Sequence, residues 1–179
     1  PAGQPAGLVM PSPVGDEDDD ASPTLRIAFD FDGVIADDES EREYQKEGLS
    51  GFHRLEQEKA STPHSPGPLR RLFEQLSAFQ RFDYNHRGAA DPYFEPAVRI
   101  SIVTARGAPS EERLITTLKS FGISAAELFL LDGLDKQPFL KAIRPHIFFD
   151  DQANNLKPSL NIVPSVLVPF GIHHLEKLP

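Results

Sequence analysis

The chain contains no cysteine, and it has no long apolar run. The lack of cysteine excludes a disulfide framework, a thiolate metal site and a cysteine nucleophile. No apolar stretch is long enough to span a bilayer as a helix. The first residues also lack a basic region followed by an apolar one, which is the pattern of a secretory signal. We therefore expect a cytoplasmic protein.

Positive charge is scarce, because 18 Lys and Arg residues stand against 27 Asp and Glu residues and give a formal net charge of -9. This balance argues against nucleic acid or an anionic membrane as a partner. It leaves room for a small anionic substrate in a locally positive site. Hydrophobic residues make up 39% of the chain, which is enough for a core. With 179 residues, one domain with a small insert is expected.

Residues 1–23 are rich in Pro, Gly and Ala and then acidic from Asp16 to Asp20. Few of these residues could contribute to a core, so the segment is predicted to be a disordered acidic tail. We interpret the acidic run as solvated charge rather than a metal site, because nothing in the sequence fixes its geometry.

Strand-like and helix-like segments alternate along most of the remaining chain. Short apolar or β-branched runs predict strands near 25–30, 98–104, 127–131, 147–149 and 165–168. Helical spacing of apolar residues predicts helices near 38–60, 69–79, 109–121 and 136–143. This alternation favours an α/β fold in three layers, with a mostly parallel sheet.

The polar, helical segment 37–96 interrupts the alternation directly after the first strand. We interpret it as a helical cap inserted into a core of residues 24–36 and 97–179. The alternative is that its helices simply cover the sheet.

Four predicted strand ends or adjoining turns carry residues suited to phosphoryl chemistry. In chain order these are Asp30 with Asp32, Thr104, Lys136, and Asp150 with Asp151. Because ligands bind at the carboxyl ends of the strands in open α/β sheets, these residues are expected to meet at one edge. Acids gathered there are costly to bury without a cation or a proton. The set therefore predicts a metal ion beside a phosphorylated substrate.

A hard divalent ion such as Mg²⁺ prefers oxygen ligands. Asp30, a backbone carbonyl near Asp32, and one or both of Asp150 and Asp151 are the predicted ligands. The Thr104 hydroxyl, the Lys136 ammonium and the backbone amides near Phe31 and Ala105 are the predicted phosphate donors.

A carboxylate can attack phosphorus and form an aspartyl-phosphate. Asp30 is the predicted nucleophile, because it comes first off the strand. Asp32 is the predicted general acid–base, which protonates the leaving oxygen and later activates water.

Each of these motifs alone is weak evidence for a phosphoryl-transfer site. The evidence is specific only when all of them occur in this order at the strand ends. Asp30, Asp32, Asp38 and Glu41 have offsets that partly match a calcium loop. An EF-hand, however, needs glycine where Ile35 stands and a preceding helix rather than a strand. A phospho-accepting regulatory domain also uses clustered acids, Thr and Lys. Its lysine should follow the last strand, whereas here an acidic pair recurs after Lys136.

The ordered set resembles the haloacid dehalogenase superfamily of phosphatases, with Asp30-Phe-Asp-Gly-Val34 as its first motif. Further stretches resemble the cytosolic 5′-nucleotidase type I family. The most distinctive of them is Arg144-Pro-His-Ile-Phe-Phe-Asp-Asp-Gln152; the others are Arg26–Asp30, Asp37–Glu41, Glu58–Ala60, Gly67–Leu69 and Val103–Arg106. The first motif differs from the Asp-Gly-Asp-Ala-Val that is typical of animal members.

The resemblance implies a Rossmann-like haloacid dehalogenase core with a small cap that selects the substrate. It implies Mg²⁺-dependent hydrolysis of nucleoside 5′-monophosphates, with Asp30 forming the phosphoenzyme and Asp32 acting as acid–base. A sugar phosphate or another small monoester is the alternative substrate. The sequence leaves a homo-oligomer open.

Three further residues are candidates for substrate contact. Alignment with the family suggests Ser40, and Phe52 could stack on a base from the cap. Arg106 could reach the phosphate or a substrate hydroxyl, or form a surface ion pair instead. His53, Phe73, Phe79 and Tyr84 could also stack on a base, but aromatic residues at helical spacing are more often part of a core. His53 and His64 are expected to be exposed.

Overall fold

The computed structural model describes residues 6–13 and 22–175. These residues form a six-stranded sheet with strand order β1-β6-β5-β2-β3-β4. The strands are β1 (Leu8–Val9), β2 (Leu25–Phe29), β3 (Val98–Thr104), β4 (Glu127–Leu130), β5 (Ile147–Asp150) and β6 (Ser165–Leu167). The helices are α1 (Glu39–Glu58), α2 (Arg70–Asp83), α3 (Glu111–Ser120), α4 (Gln137–Ile143), α5 (Ala153–Ser159) and α6 (Ile172–Leu175), and a π-helical turn (Tyr84–Gly88) follows α2.

Strand β2 lies inside the sheet and pairs in parallel with β3 on one side and β5 on the other. Ala28 is thus in register with Ser101 and with Phe148. Strands β2 to β6 are all parallel to their neighbours, and β1 alone runs antiparallel to β6. The sheet is therefore mixed, although the predicted alternation of parallel strands and helices accounts for most of it.

Two apolar clusters, one on each face of the sheet, explain the layering. On one face, Phe29 packs in a cluster with Phe73 of α2 and Leu114 of α3. On the other face, Phe148 packs with Leu140 of α4 and Leu156 of α5. Because helices cover both faces, the inner strand β2 is buried at consecutive residues, from Ile27 to Phe29, rather than at alternate ones. The result is an α/β fold in three layers.

Part of the segment predicted to be a tail lies on the edge of the sheet. Strand β1 pairs with β6, and the Met10 amide donates to the Ser165 carbonyl at 2.9 Å. The Ser12 hydroxyl donates to the Leu160 carbonyl at 2.5 Å. Without β1, strand β6 would be the edge of the sheet and would expose unpaired backbone groups, which even a two-residue strand can pair with. The acidic run Asp16–Asp20 lies outside the described residues, so its disorder stays a prediction.

The segment 37–96 divides into two parts with different surroundings. Helix α2 covers the sheet, where the Phe73 ring lies 5.0 Å from the Phe29 ring. Helix α1 instead borders the cavity at the carboxyl ends of the strands, and it kinks at Gly48, whose φ of 67° is non-helical. Helix α2 therefore covers the sheet, as the alternative interpretation of this segment has it. A cap role for α1 stays a prediction.

The helices that the sequence does not predict are short and lack apolar periodicity. Helix α5 reads Ala-Asn-Asn-Leu-Lys-Pro-Ser, with Pro158 near its end, and α6 has four residues. Elements with a clear pattern fall within a few residues of their predicted bounds. Across the described ranges, no helix combines the length and the apolar character needed to cross a bilayer.

Candidate active site

The carboxyl ends of β2 and β5 meet the start of α4 in a buried ionic cluster. The Lys136 ammonium lies 2.9 Å from an Asp30 carboxylate oxygen and 2.8 Å from an Asp150 oxygen. Asp30 follows β2, Asp150 ends β5, and Lys136 directly precedes α4. Parallel neighbours place these ends on one edge, which is why residues more than a hundred positions apart come into contact.

Asp30 is held in a defined orientation and is almost fully buried. The Phe31 amide donates a hydrogen bond of 2.7 Å to its Oδ1 atom. Burial raises the pKa of Asp30 to about 7, and although Lys136 opposes this rise, the Asp150 charge adds to it. Burial alone would lower the pKa of Lys136, but the charges of Asp150 and Asp30 raise it, so the ammonium stays protonated.

Three carboxyl groups form an acidic triad, Asp30, Asp150 and Asp151. Each offers one oxygen, and these oxygens lie within 4.8 Å of one another. The Oδ1 atom of Asp151 is buried without a hydrogen-bond partner. Burial, followed by the charges of Asp30 and Asp150, raises the pKa of Asp151 to about 9. An all-oxygen donor set with an unpartnered buried oxygen among like charges fits a hard divalent cation.

The glycine of the first motif permits the close approach of this triad. Gly33 has a φ of 68°, and a side chain there would clash with the Asp151 carboxylate. Asp150 is fixed from the other side, because the Gln152 amide donates to its Oδ1 at 2.8 Å and the Asn155 side chain lies 3.2 Å from its Oδ2.

Asp32 is not part of the acidic triad. Its two carboxylate oxygens accept hydrogen bonds of 2.7 Å from Nε and Nη2 of Arg106. Its carboxylate therefore does not join the three acids, and a metal role through its backbone carbonyl stays a prediction.

The loop after β3 forms one wall of the site. Thr104 is buried, and its hydroxyl accepts a hydrogen bond from the Arg106 amide at 3.3 Å. A turn at Asp132 and Gly133, both with positive φ, supports this loop. The Asp132 amide donates to the Arg106 carbonyl at 3.1 Å, and the Gly133 amide donates to the Ala105 carbonyl at 2.9 Å.

A cavity of about 430 Å³ lies between α1 and these loops. This volume is within the usual range for small-molecule sites, roughly 300–1,000 Å³. Asp30, Asp32 and Thr104 reach it from the sheet. Its other lining residues are Glu41, Tyr44, Leu49, Phe52 and His53 of α1, with Ala105, Arg106, Gly107, Asp132, Gly133, Gln152 and Asn155.

The predicted substrate residues differ in their access to this cavity. Phe52 lines it and is half-buried, with its ring 5.4 Å from the Arg106 guanidinium carbon. Ser40 is fully buried, and its hydroxyl donates to Glu56 at 2.6 Å. Arg106 borders the cavity and is only 3% exposed. The ion pair considered for it is present, with Asp32 and Glu56, but its position at the surface is wrong because Arg106 is buried.

Several expectations about other side chains are corrected. His64 was expected to be exposed, but it is 2% exposed and packs against the Phe31 ring, with ring centroids 5.7 Å apart. His53 is half-buried against the cavity. Phe73 belongs to the core, whereas Phe79 and Tyr84 are exposed.

Sequence reasoning missed a second buried ionic cluster behind the cavity. Glu56 of α1 is fully buried, pairs with Arg106, and accepts a hydrogen bond of 3.0 Å from Arg113 of α3. Arg113 also donates to Glu39 at 2.6 Å. No local spacing in the sequence signals this cluster, because its members come from separate elements.

The charges of this cluster stabilise one another. Burial alone would raise the pKa of Glu56, but a hydrogen bond with His64, the Arg106 charge and a hydrogen bond with Ser40 lower it below its ordinary value. Burial opposes protonation of His64, yet the carboxylates of Asp37 and Glu56, which lie 3.4 Å and 3.5 Å from its ring nitrogens, raise its pKa.

Comparison with known proteins agrees with the geometry. A family model described as 5′-nucleotidase matches residues 1–175. The chain belongs to the 5′-nucleotidase family.

A curated relative of this family is human "Cytosolic 5′-nucleotidase 1B". It is 39% identical over 128 residues, which cover 71% of this chain and 20% of the human protein. The chain thus spans about a fifth of the length of that relative. The family membership predicted from the quoted motifs is confirmed.

Proposed function

We propose that the protein hydrolyses nucleoside 5′-monophosphates to a nucleoside and phosphate. The observation that carries this proposal is the contact of Lys136 with both Asp30 and Asp150 beside the cavity. Family membership and the printed name of the human relative support the same reaction. The three-layer core is then a haloacid dehalogenase-like core, with α1 as its reduced cap.

Magnesium is the proposed cofactor. Asp30, Asp150 and Asp151 would hold it, because their oxygens converge and Asp151 Oδ1 has no other partner. Such an ion neutralises the charge of the acids and of a phosphoryl group.

In the first chemical step, a carboxylate oxygen of Asp30 attacks phosphorus as the bond from phosphorus to the 5′-oxygen breaks. Lys136 offsets the charge of Asp30, and the Thr104 hydroxyl and the Ala105 amide donate to the phosphoryl oxygens. Asp32 supplies the proton that the leaving 5′-oxygen takes up.

In the second step, water attacks phosphorus and gives its proton to Asp32. The bond from phosphorus to Asp30 breaks, and phosphate leaves with the Asp30 carboxylate regenerated. Both acids are thereby restored for the next cycle.

The apolar wall formed by Tyr44, Leu49 and Phe52 favours a base-bearing substrate over a sugar phosphate. An aromatic ring offers a face on which a nucleobase can stack, and base–aromatic stacking contributes about 1–3 kcal/mol where it has been measured.

Phosphate release from nucleoside monophosphates and sugar phosphates, with and without Mg²⁺, tests the proposal. We expect Mg²⁺-dependent release with nucleotides preferred. Release from sugar phosphates alone would mean that these, and not nucleotides, are the substrates. Release from neither class of compound would contradict the proposed function. The Asp32→Asn variant tests the acid role, since equal losses for nitrophenyl phosphate and a nucleotide would count against it.

A further inference from the structure

We infer that Arg106 is a positioning residue that ties helix α1 to Asp32, rather than a ligand for the substrate. The inference rests on the proposed function and deepens it. It replaces the sequence-based hypothesis that Arg106 binds the phosphate or a substrate hydroxyl.

The hydrogen-bonding capacity of Arg106 is already used within the protein. A guanidinium carries five N–H donors and no acceptor. Two of them bind the Asp32 carboxylate, and Nη1 faces Glu56 and the Ser110 carbonyl. The remaining Nη2 donor lies 3.0 Å from the Ser40 hydroxyl and 3.1 Å from His64 Nε2. No donor is left to bind a phosphoryl oxygen unless one of these contacts breaks.

The fork geometry of the guanidinium gives the Asp32 contact its precision. Two parallel hydrogen bonds to one carboxylate fix its plane as well as its distance. Asp32 therefore cannot turn towards the acidic triad while Arg106 holds it. A general acid has to be oriented at the leaving oxygen, and this pair limits the orientations that are available to Asp32.

Arg106 also contacts two residues of helix α1. Both Ser40 and Glu56 lie on this helix, one near each end of it. Glu56 is in turn held by Arg113 of α3, at 3.0 Å. Arg106 thus joins the loop after β3 to a helix that is itself anchored to the core.

The same helix supplies the apolar wall of the cavity. Phe52 lies one helical turn before Glu56, lines the cavity and borders the Arg106 guanidinium. A displacement of Glu56 would therefore move the cavity wall and the Asp32 carboxylate together. Substrate fit and proton transfer are coupled through one side chain.

A purely structural role for this cluster makes a different prediction. Breaking a buried ion pair lowers stability whether or not the pair orients a catalytic group. Such a loss would reduce the activity on every substrate by the same factor. Positioning of Asp32 instead predicts a loss that depends on how much the leaving group needs a proton.

The test compares Arg106→Lys and Glu56→Gln with the wild type. Lysine keeps the charge of Arg106 but cannot make the bidentate contact. Glutamine keeps the shape of Glu56 and removes its charge, at a residue that does not line the cavity. Arg99→Lys is the matched control, because Arg99 pairs with Glu127 at the surface.

The quantity measured is kcat/KM for two esters, the nucleoside monophosphate that the wild type hydrolyses fastest and nitrophenyl phosphate. This ratio reports the steps up to phosphorylation of Asp30, in which only the nucleotide needs a proton on its leaving oxygen. For Arg106→Lys we expect a fall of about 10²-fold for the nucleotide and a much smaller fall for the nitrophenyl ester. Glu56→Gln should also lower kcat/KM more for the nucleotide than for the nitrophenyl ester, but both falls should be smaller than those of Arg106→Lys.

Each other outcome overturns a defined part of the inference. Equal losses on both esters that follow a lower melting temperature mean a structural role only. Equal losses with unchanged melting and weaker inhibition by inorganic phosphate mean that Arg106 binds the phosphoryl group. If Arg106→Lys does not fold, Glu56→Gln decides between these outcomes. A wild-type protein that releases phosphate from neither ester overturns the proposed function, and the positioning role with it.

Discussion

The two buried ionic clusters at the edge of the sheet differ in their balance of charge. Around Lys136, three carboxyl groups share one ammonium, and a buried oxygen of Asp151 has no partner. Around Arg106 and Arg113, the three carboxylates of Asp32, Glu39 and Glu56 face three cations, because Lys59 also pairs with Glu39. The unbalanced cluster keeps a buried oxygen for a ligand from outside, whereas each carboxylate of the balanced one already has a cationic partner. We therefore expect the chemistry at the unbalanced cluster and a supporting role for the balanced one.

The largest effect is expected from Asp30→Asn in the unbalanced cluster. Loss of the proposed nucleophile should reduce kcat by about 10⁴-fold or more. The fold should persist, because the change also removes one of three mutually repelling charges. Phosphate release and the circular-dichroism melting temperature measure the two effects. A near-normal rate would reject Asp30 as nucleophile.

Arg113→Met tests the balanced cluster. Arg113 is buried, and its removal leaves Glu39 and Glu56 with fewer cationic partners, which should cost about 3–5 kcal/mol of unfolding free energy. Arg99→Met removes an exposed partner of Glu127 and should cost no more than about 1 kcal/mol. Urea unfolding measures both, and equal costs would contradict the distinction between buried and exposed pairs.

Asp151→Asn should stabilise the metal-free protein. The raised pKa of Asp151 means that its charged form is disfavoured in the fold, so a neutral amide removes a destabilising group near neutral pH. The same change should remove the rise in melting temperature that Mg²⁺ gives the wild type. Asp132→Asn, at an exposed acid outside the triad, is the control and should keep that rise. A variant that Mg²⁺ still stabilises as much as the wild type would exclude Asp151 as a ligand.

The smallest expected effect is a change in the stability of the fold at acid pH. The pKa of Glu56 is lowered in the fold, so its contribution to stability is present above its ordinary value of 4.5 and is lost as the pH falls below it. Glutamine at position 56 does not titrate. We therefore expect the difference in urea midpoint between the wild type and Glu56→Gln to be largest near neutral pH and to shrink below about pH 4.5. A constant difference over this range would mean that the charge of Glu56 does not stabilise the fold.

Local patterns were sufficient where one element carries the signal. The β-branched run of β3 predicts its bounds, and the apolar run before Asp30 predicts β2. They failed where pairing with a distant partner decides the structure, as for β1, which depends on β6. Helix α2 was assigned to the cap because of its place in the chain, but its apolar face packs on Phe29 in the sheet.

The alternation of strands and helices was enough to predict the α/β class, and stretches such as Arg144–Gln152 were enough to predict the family. The order of acids, threonine and lysine along the chain predicted the meeting of Asp30 with Lys136 and Asp150. The reason is that parallel strands bring their carboxyl ends to one edge whatever the details of packing. The tertiary structure alone decided that Asp32 faces Arg106, that His64 and Ser40 are buried, and that Glu56 lies between two arginines. These facts depend on how α1 and α3 pack together, and no spacing within a single element encodes the partner of a buried charge.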